Sequence, residues 1–569
     1  MNHLRWNLFR PAPKESLSFW EGQTTLPPLL IQLLHNRGLT QPSQFEPFLA
    51  ADDRLVGGPL LLCDMHPAVE RIRRAISSEE GIAVYGDFDA DGITATAVMT
   101  QGLSLLGASP KFYIPHRLDE GHGLHHSALA DLREQGVSLV ITVDCGITGF
   151  EEVTQARPRG LDIIITDHHT LPRNIPPAAA VVNPKRDDPA HPSFELSGVG
   201  VAFKLLQALF AGTGKEEALP GLLDLVALGT VSDMVPLVAE NRYLVKRGLE
   251  LINHPHPLQR RTGLAELIRL AALKPGSIDA ESISWNLGPR LNAAGRLGHA
   301  LLSYQLLTTD SPEEGRELAE RLERQNAERQ NLTDQVWARA REQVLAQGAD
   351  APLLMVDGED YPAGIVGIVA GRLVDEFHRP AVVVGRAEEV SRGSARSIPE
   401  FDIIAAFTEN AYLLSRFGGH PAAAGFTLPT ENLSALREGL IERATKELSE
   451  CDLRPELSID VKLPLHTLDG SAFGTVQRLA PFGQGNPTPI FLSPKARVAD
   501  CRRLGDRGEH LRLKLREGPI TWDSVGFDMG HLAGEVTSHI DIVYYMEVDA
   551  WRGQEMLQLH LLDFRPSAP

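Results

Sequence analysis

Between residues 51 and 240 the chain alternates short, almost wholly apolar runs with longer stretches of helical periodicity. The runs are Ile82–Tyr85, Lys111–Ile114, Leu139–Val143, Ile163–Thr166 and Ala180–Val182. Runs of this kind read as strands buried on both faces, and their alternation with helices predicts a parallel sheet covered on two sides. Residues 1–50 predict a Pro-punctuated helical lead-in, in which PSQFEPFLA forms a short helix packed on the next segment. From 241 to 350 the pattern is helical with Pro-containing breaks, and Ser311 opens a long helix. Pro312 takes its first position, Glu314 completes a capping box, and Gly348 ends it after Gln347. At 1.5 Å per residue it spans roughly 50 Å, and with few apolar positions it bridges two lobes rather than forming a core.

A second α/β module occupies 351–450. It opens with the strand Pro352–Val356, continues through a small-residue helix and a buried-type strand within Gly364–Val384, and then carries a short polar loop, Gly393–Arg396. His420 precedes an alanine-rich helix start. Between 455 and 569, short alternating runs separated by turn signals predict a small barrel or sandwich.

The residues just after each apolar run carry the chemistry. After the first come Asp87, Asp89 and Asp91; after the third, Asp144; after the fourth, Asp167, His168 and His169. Three alternate carboxylates repel one another unless a cation lies between them, and Gly86 and Gly92 allow the tight bend that aims them together. In an open parallel sheet the carboxyl ends of the strands share one edge, so these groups meet at one rim. Asp233, in the turn after the helical segment Leu222–Leu228, adds a fourth contribution. Singly, each is an ordinary helix cap, core histidine or turn residue; together they specify a metal site. Carboxylates suit Mg²⁺ or Mn²⁺, the imidazole tilts the choice toward Mn²⁺, and zinc remains compatible. So many ligands suit two ions about 3.5–4 Å apart sharing a carboxylate, the arrangement for phosphoryl ester hydrolysis. The histidines of GHGLHH (His122, His125, His126) fall on a loop beyond the second strand and read as surface or substrate-adjacent groups.

The chain has 569 residues, enough for several domains, and a formal charge of −19 from 55 Lys and Arg against 74 Asp and Glu. So acidic a total excludes a broad polyanion-binding surface and leaves the task to local clusters. Arg290 and Arg296 flank a small-residue turn; Gly393, Ser394 and Arg396 suit a terminal phosphate. Arg502, Arg503, Arg507, Arg512, Lys514 and Arg516 lie in the last segment with two candidate base-stacking residues, Trp522 and Trp551. The four cysteines form no CxxC pair, which argues against a disulfide framework and a structural zinc site. With no bilayer-length apolar run and no secretory signal at the start, the expectation is a soluble cytoplasmic protein.

The set DFDADG, VDCG, DHH and SDMVPL resembles the DHH phosphoesterase superfamily. GPRLNAAGR, GSARS, FGGHPAAAG and PFGQGNP resemble, within it, the bacterial RecJ-type single-strand-specific exonucleases. The likeness runs from about residue 50 to the end. It implies a parallel-sheet DHH catalytic domain at 51–240, the helical connector at 241–350, a DHH-associated α/β domain at 351–450 and an OB-fold barrel at 455–569. It implies that Asp87 and Asp89 hold one ion and Asp91 the other, that Asp144 bridges them, and that His168 and Asp233 complete the coordination of the second ion. His169 would face the scissile phosphate while Asp167 orients its neighbours. Arg117, Arg290 and Arg296 would grip the strand; Ser394 and Arg396, with His420 nearby, would anchor the 5′-phosphate. The implied activity is a metal-dependent 5′ to 3′ exonuclease of repair and recombination. It would degrade single-stranded DNA to 5′-mononucleotides as a monomer, beside a helicase and a single-strand-binding protein. A DHH phosphodiesterase of short RNA or cyclic dinucleotides usually has only the two catalytic lobes, and a non-catalytic replication scaffold should have lost metal ligands; both fit less well. The chain departs from the family at His116, where Asn is commoner, and at Asp360–Tyr361, where Trp and His precede the Pro; Tyr361 could still stack on a base.

Overall fold

The computed structural model describes residues 4–117, 119–256, 260–551 and 554–567. The chain forms two compact units, one comprising Gly57–Met234 and Leu244–Arg454, the other the residues up to Val56, Val235–Tyr243 and Pro455 onward. No helix among the described residues is long and apolar enough to cross a membrane.

The larger unit holds the first sheet, built of β1 (Gly81–Tyr85), β2 (Lys111–Tyr113), β3 (Val137–Val143), β4 (Asp162–Thr166) and β5 (Ala180–Val182). Their order is β2-β1-β3-β4-β5, all parallel. The chain leaves β1 for one side of the sheet and returns on its other side at β3, so the crevice between their carboxyl ends is a topological switch point. Three helices close over this edge: α1 (Ala90–Leu105), α2 (Gly198–Phe210) and α3 (Leu223–Ser232). They are apolar on every side and correspondingly buried, with Ile93, Ala97, Val201, Leu205, Val226 and Leu228 all fully covered.

The same unit contains a second, mixed sheet. Its strands are β6 (Leu354–Gly358), β7 (Ala381–Gly385), β8 (Val390–Arg396), β9 (Arg416–His420) and β10 (Ala423–Pro429), in the order β9-β10-β8-β7-β6. Only β6 and β7 run parallel. Here the structure corrects two expectations. Gly393–Arg396 is strand rather than loop, and the residues after His420 form an antiparallel hairpin rather than a helix start. Alanine's helix preference amounts to tenths of a kcal/mol per residue, whereas β10 is hydrogen-bonded along both edges. In β8, Ser391, Gly393 and Ala395 are buried, so Ser394 and Arg396 lie on the opposite face.

Between the two sheets, α4 (Gly288–Leu297) packs on α5 (Pro312–Gln347). Buried positions recur along α5 at Leu318, Leu322, Asn326, Thr333, Val336, Ala340 and Val344, at three-, four- and seven-residue intervals. Its first half covers the helices of the first sheet's side, and Val336, Ala340 and Val344 join Val356, Ile365 and Val369 beside the second sheet. Ser311 caps α5 by accepting from the Glu314 N–H at 3.3 Å. The other arm of the expected capping box is not made, because the Glu314 carboxylate turns to the Thr309 hydroxyl.

In the smaller unit, β11 (Phe491–Leu504), β12 (His510–Glu517), β13 (Ile520–Gly526), β14 (His539–Trp551) and β15 (Gln554–Pro566) pair in the order β11-β12-β13-β15-β14, and β14 returns to β11 to close a barrel. Leu511, Leu513, Ile540, Tyr544 and Phe564 fill it. The helix Pro42–Ala50 contributes Phe45 and Phe48 to this barrel core instead of packing on the next segment of the chain. Trp522 is also buried, its indole N–H donating to the Leu465 carbonyl at 3.3 Å, so it is a core residue with no face for a base. The Trp551 side chain lies outside the described residues.

Candidate metal centre

The centre begins where β1 ends. Asp89 caps α1, accepting from the Gly92 N–H at 3.0 Å, and Asp91 lies in the first helical turn. The chain doubles back so closely that a Cβ on Gly92 would lie 2.6–2.7 Å from Asp87, which explains the glycine. Asp91 is buried and accepts the Gly198 N–H at 2.7 Å and the Val199 N–H at 2.9 Å. These are the first amides of α2, whose N-terminus favours negative charge. Asp144 comes directly after β3 with a φ of 61°, a left-handed conformation that costs an aspartate energy and marks functional sites. His168 and His169 lie just beyond β4, and Asp233 is the residue that ends α3.

Three sets of side chains bring ligand atoms within 4.8 Å of one another: Asp87, Asp89 and Asp144; Asp91, His168 and Asp233; and Asp144, His168 and His169. Asp144 belongs to two of them. Its Oδ1 lies 3.1 Å from His168 Nε2, which is also 3.5 Å from Asp233 and 3.9 Å from Asp91. Asp144 Oδ1 and His168 Nε2 are buried and make no hydrogen bond among the described residues. Burial, reinforced by Asp89, raises the Asp91 pKa to about 7. Burial with Asp91 and Asp89 raises that of Asp233 to about 9, and Asp144 rises well above the carboxylate range for the same reasons. Burial and then His169 lower the His168 pKa to about 4, which keeps its imidazole neutral and its lone pair available to a metal. Converging carboxylates that resist ionising together, with one neutral imidazole and two orphaned atoms, fit hard divalent cations.

Asp167 stands apart from the three sets. Its Oδ1 accepts the His168 and His169 N–H groups at 2.7 and 3.1 Å and faces His169 Nδ1 at 2.7 Å, while Oδ2 accepts the Ile147 N–H at 2.9 Å. These bonds outweigh burial and hold its pKa at about 2. Burial lowers the His169 pKa, but Asp167 lifts it to about 9, so its half-exposed ring is protonated at neutral pH. Two contacts were not foreseen from the sequence. His122 Nδ1 lies 2.6 Å from Asp87 Oδ2, and Asn292 on α4 accepts the Ala90 N–H at 2.8 Å.

Arg117, Arg296 and Arg396 gather beside the carboxylates. The Arg117 guanidinium lies 4.8 Å over the Phe88 ring and feels Asp89 and Asp87. Arg296 donates to the Gly364 carbonyl at 3.0 Å; burial, then Arg117, Arg329 and Arg396, lower its pKa to about 9. Arg396 donates to Ser394 Oγ at 3.1 Å, and burial followed by Arg117 lowers its pKa too. Mutually repelling guanidiniums with no carboxylate ion pair among the described residues form an anion site. His420 is exposed on β9 in register with Ala423, which is in register with Arg396, so the two share one face of the sheet. Arg290 does not join them: it binds Glu323 of α5 at 2.6 Å and the Asn286 carbonyl at 2.9 Å. Tyr361 is 4% exposed and packs in the core against α5, which removes it as a base-stacking residue.

Comparison with known proteins agrees with this geometry. Family models match the DHH family N-terminal domain at residues 81–230, the DHHA1 domain at 345–446 and the RecJ OB domain at 459–563. The single-stranded-DNA-specific exonuclease RecJ of Bacillus subtilis is 38% identical over 564 residues, covering 98% of this chain and 70% of the relative. That of Dickeya dadantii is 33% identical over 562 residues, covering 94% and 95%. The crystal structure of RecJ in complex with Mn²⁺ from Thermus thermophilus superimposes with a TM-score of 0.86 at 30% identity, covering 100% of this chain and 80% of that one. With this identity sustained along nearly its full length, the chain belongs to the RecJ family of single-stranded-DNA-specific exonucleases.

Proposed function

We propose that the protein is a Mn²⁺- or Mg²⁺-dependent exonuclease that removes 5′-mononucleotides from single-stranded DNA in the 5′ to 3′ direction. The observation that carries this reading is Asp144, shared between two sets of ligand atoms that face the Arg117–Arg296–Arg396 group. Asp87, Asp89 and Asp144 hold one ion; Asp91, Asp144, His168 and Asp233 hold the other. Two ions bound there activate water and stabilise charge on the leaving oxygen. His169, held by Asp167 and protonated, donates a charge-assisted hydrogen bond to the scissile phosphate. Arg117 and Arg296 clamp the neighbouring phosphates. Ser394, Arg396 and His420 receive the terminal 5′-phosphate, and their fixed separation from the carboxylates sets how many nucleotides are removed at a time.

In this reading the catalytic domain spans 51–240, the connector 241–350, the DHH-associated domain 351–450 and the OB-fold domain 455–569. A monomer working in the cytoplasm beside a helicase and a single-strand-binding protein is the setting that suits an enzyme confined to unpaired ends in repair and recombination. The test compares labelled single-stranded DNA, duplex DNA, short RNA and cyclic dinucleotides with Mn²⁺ and Mg²⁺. Single-stranded DNA should be degraded from its 5′ end, and Asp144→Ala should abolish hydrolysis while still binding the strand. Near-native cleavage by Asp144→Ala, or preference for a cyclic dinucleotide, would overturn the proposal.

A further inference from the structure

The loop between β2 and the helix His126–Glu134 supplies no residue to the three ligand sets, yet it sends His122 back to the metal rim. Asp87 is 2% exposed and both its oxygens are engaged: Oδ1 accepts the Phe88 N–H at 2.8 Å and Oδ2 faces His122 Nδ1 at 2.6 Å. The carboxylate's own chain neighbour fixes one oxygen and an imidazole from 35 residues away fixes the other. The ring cannot swing freely, because it rests on Phe88 with centroids 4.2 Å apart, and Phe88 carries the Arg117 guanidinium 4.8 Å from its centre. The His122 side chain is 63% exposed, so burial does not hold it in place; the carboxylate and the aromatic face do. The same device occurs across the rim, where Asp167 fixes His169 through Nδ1. The direction of control differs. Asp167 lies outside the ligand sets and orients a histidine, whereas here the histidine lies outside them and orients Asp87.

We propose that His122 is a positioning residue of the metal centre: by holding Asp87 Oδ2 it fixes the carboxylate rotamer that presents Asp87 to a divalent cation together with Asp89 and Asp144. Partners that orient a metal-binding side chain typically contribute about 10–100-fold to metal affinity. The inference rests on the proposed metal centre and extends it to a loop that contributes no ligand.

The test is Mn²⁺ titration of the metal-free protein by calorimetry, without substrate, on His122→Phe, His122→Asn and Asp87→Asn. His122→Phe keeps a ring on Phe88 but loses the donor, and should weaken Mn²⁺ binding at one site about 10-fold or more. Asn places an amide N–H near the former Nδ1, so His122→Asn should recover most of that affinity. The metal-free unfolding midpoints of both variants should match the parent, which separates orientation of Asp87 from a general loss of fold. Parental Mn²⁺ affinity in His122→Phe, with Asp87→Asn impaired, would overturn the role of His122 and leave the metal centre standing. Parental affinity in Asp87→Asn as well would overturn the metal centre itself. Equal weakening in the Phe and Asn variants would also refute the positioning role, since the restored donor would then be irrelevant.

Discussion

Gly198 is the position where one methyl group should do most damage. A Cβ there would sit 2.4 Å from both the Cβ and Oδ1 of Asp144 and 2.6 Å from its Cγ. Carbon contacts settle near about 3.5–4.0 Å, so the carboxylate or the start of α2 must retreat by about 1 Å. Neither can do so without cost. Asp144 is buried in a left-handed backbone conformation, and the Gly198 amide holds Asp91 at 2.7 Å. Forced overpacking of this kind costs about 1–3 kcal/mol of stability, and a displacement of about 1 Å in a catalytic group lowers rate by about 10²-fold. Gly198→Ala should therefore lower kcat about a hundredfold and weaken Mn²⁺ binding. Strand affinity in metal-free buffer should be preserved, because Arg117, Arg296 and Arg396 are untouched. The matched control is Gly474→Ala in the exposed helix Gly470–Gln477, where a Cβ meets nothing within 4 Å; it should raise stability by about 0.5–1 kcal/mol. Single-turnover cleavage, calorimetric Mn²⁺ titration and thermal unfolding read the three quantities. Near-native kcat and Mn²⁺ affinity in Gly198→Ala would refute the placement of Asp144 and Asp91 on which the reasoning depends.

Two further outcomes come from the electrostatics. Asp91, Asp233 and Asp144 have folded pKa values above their unfolded ones, reaching about 7 and 9 for the first two, so the metal-free folded chain binds more protons than the unfolded chain above the ordinary carboxylate range. Its stability should then fall as pH rises from about 4 to 9, while the stabilisation conferred by saturating Mn²⁺ grows. Thermal unfolding across that range with and without Mn²⁺ checks both, and a metal-free stability that rises toward pH 9 would contradict the assignment. The arginines should separate by assay. Arg396→Ala removes a charge-assisted contact of roughly 1.5–3 kcal/mol, which should raise KM for 5′-phosphorylated ends about 10–100-fold and spare 5′-hydroxyl ends. Arg290→Ala breaks the pair with Glu323 and should lower the unfolding midpoint without discriminating between the two ends.

The part of this site that was legible in the sequence is the part built locally. A strand running into a turn displays its chemistry in consecutive residues, so the order of residues alone places Asp87–Asp91, Asp144 and Asp167–His169 on one edge. The parallel sheet, the long helix and the barrel were readable for the same reason, through the periodicity of their buried positions. The features that escaped depend on contacts between distant segments. His122 reaches Asp87 from another loop, and no local pattern distinguishes it from His125 or His126 beside it. Arg290 and Arg296 look alike on α4, yet one faces Glu323 of α5 and the other the second sheet's lobe. Alanine-rich β10 reads as helix until its neighbours on both edges are known, and Tyr361 looks available for stacking until α5 covers it. The capping box failed by one rotamer, Glu314 having a competing donor in Thr309.

The central claim is that residues from four separate segments cage two cations that share Asp144. Anomalous diffraction at the manganese edge from crystals soaked in Mn²⁺ measures this directly. Two peaks about 3.5–4 Å apart are expected, one against Asp87 and Asp89, the other against Asp91, His168 and Asp233, with Asp144 touching both. No peak within this rim, or a single ion that Asp144 does not contact, would contradict it.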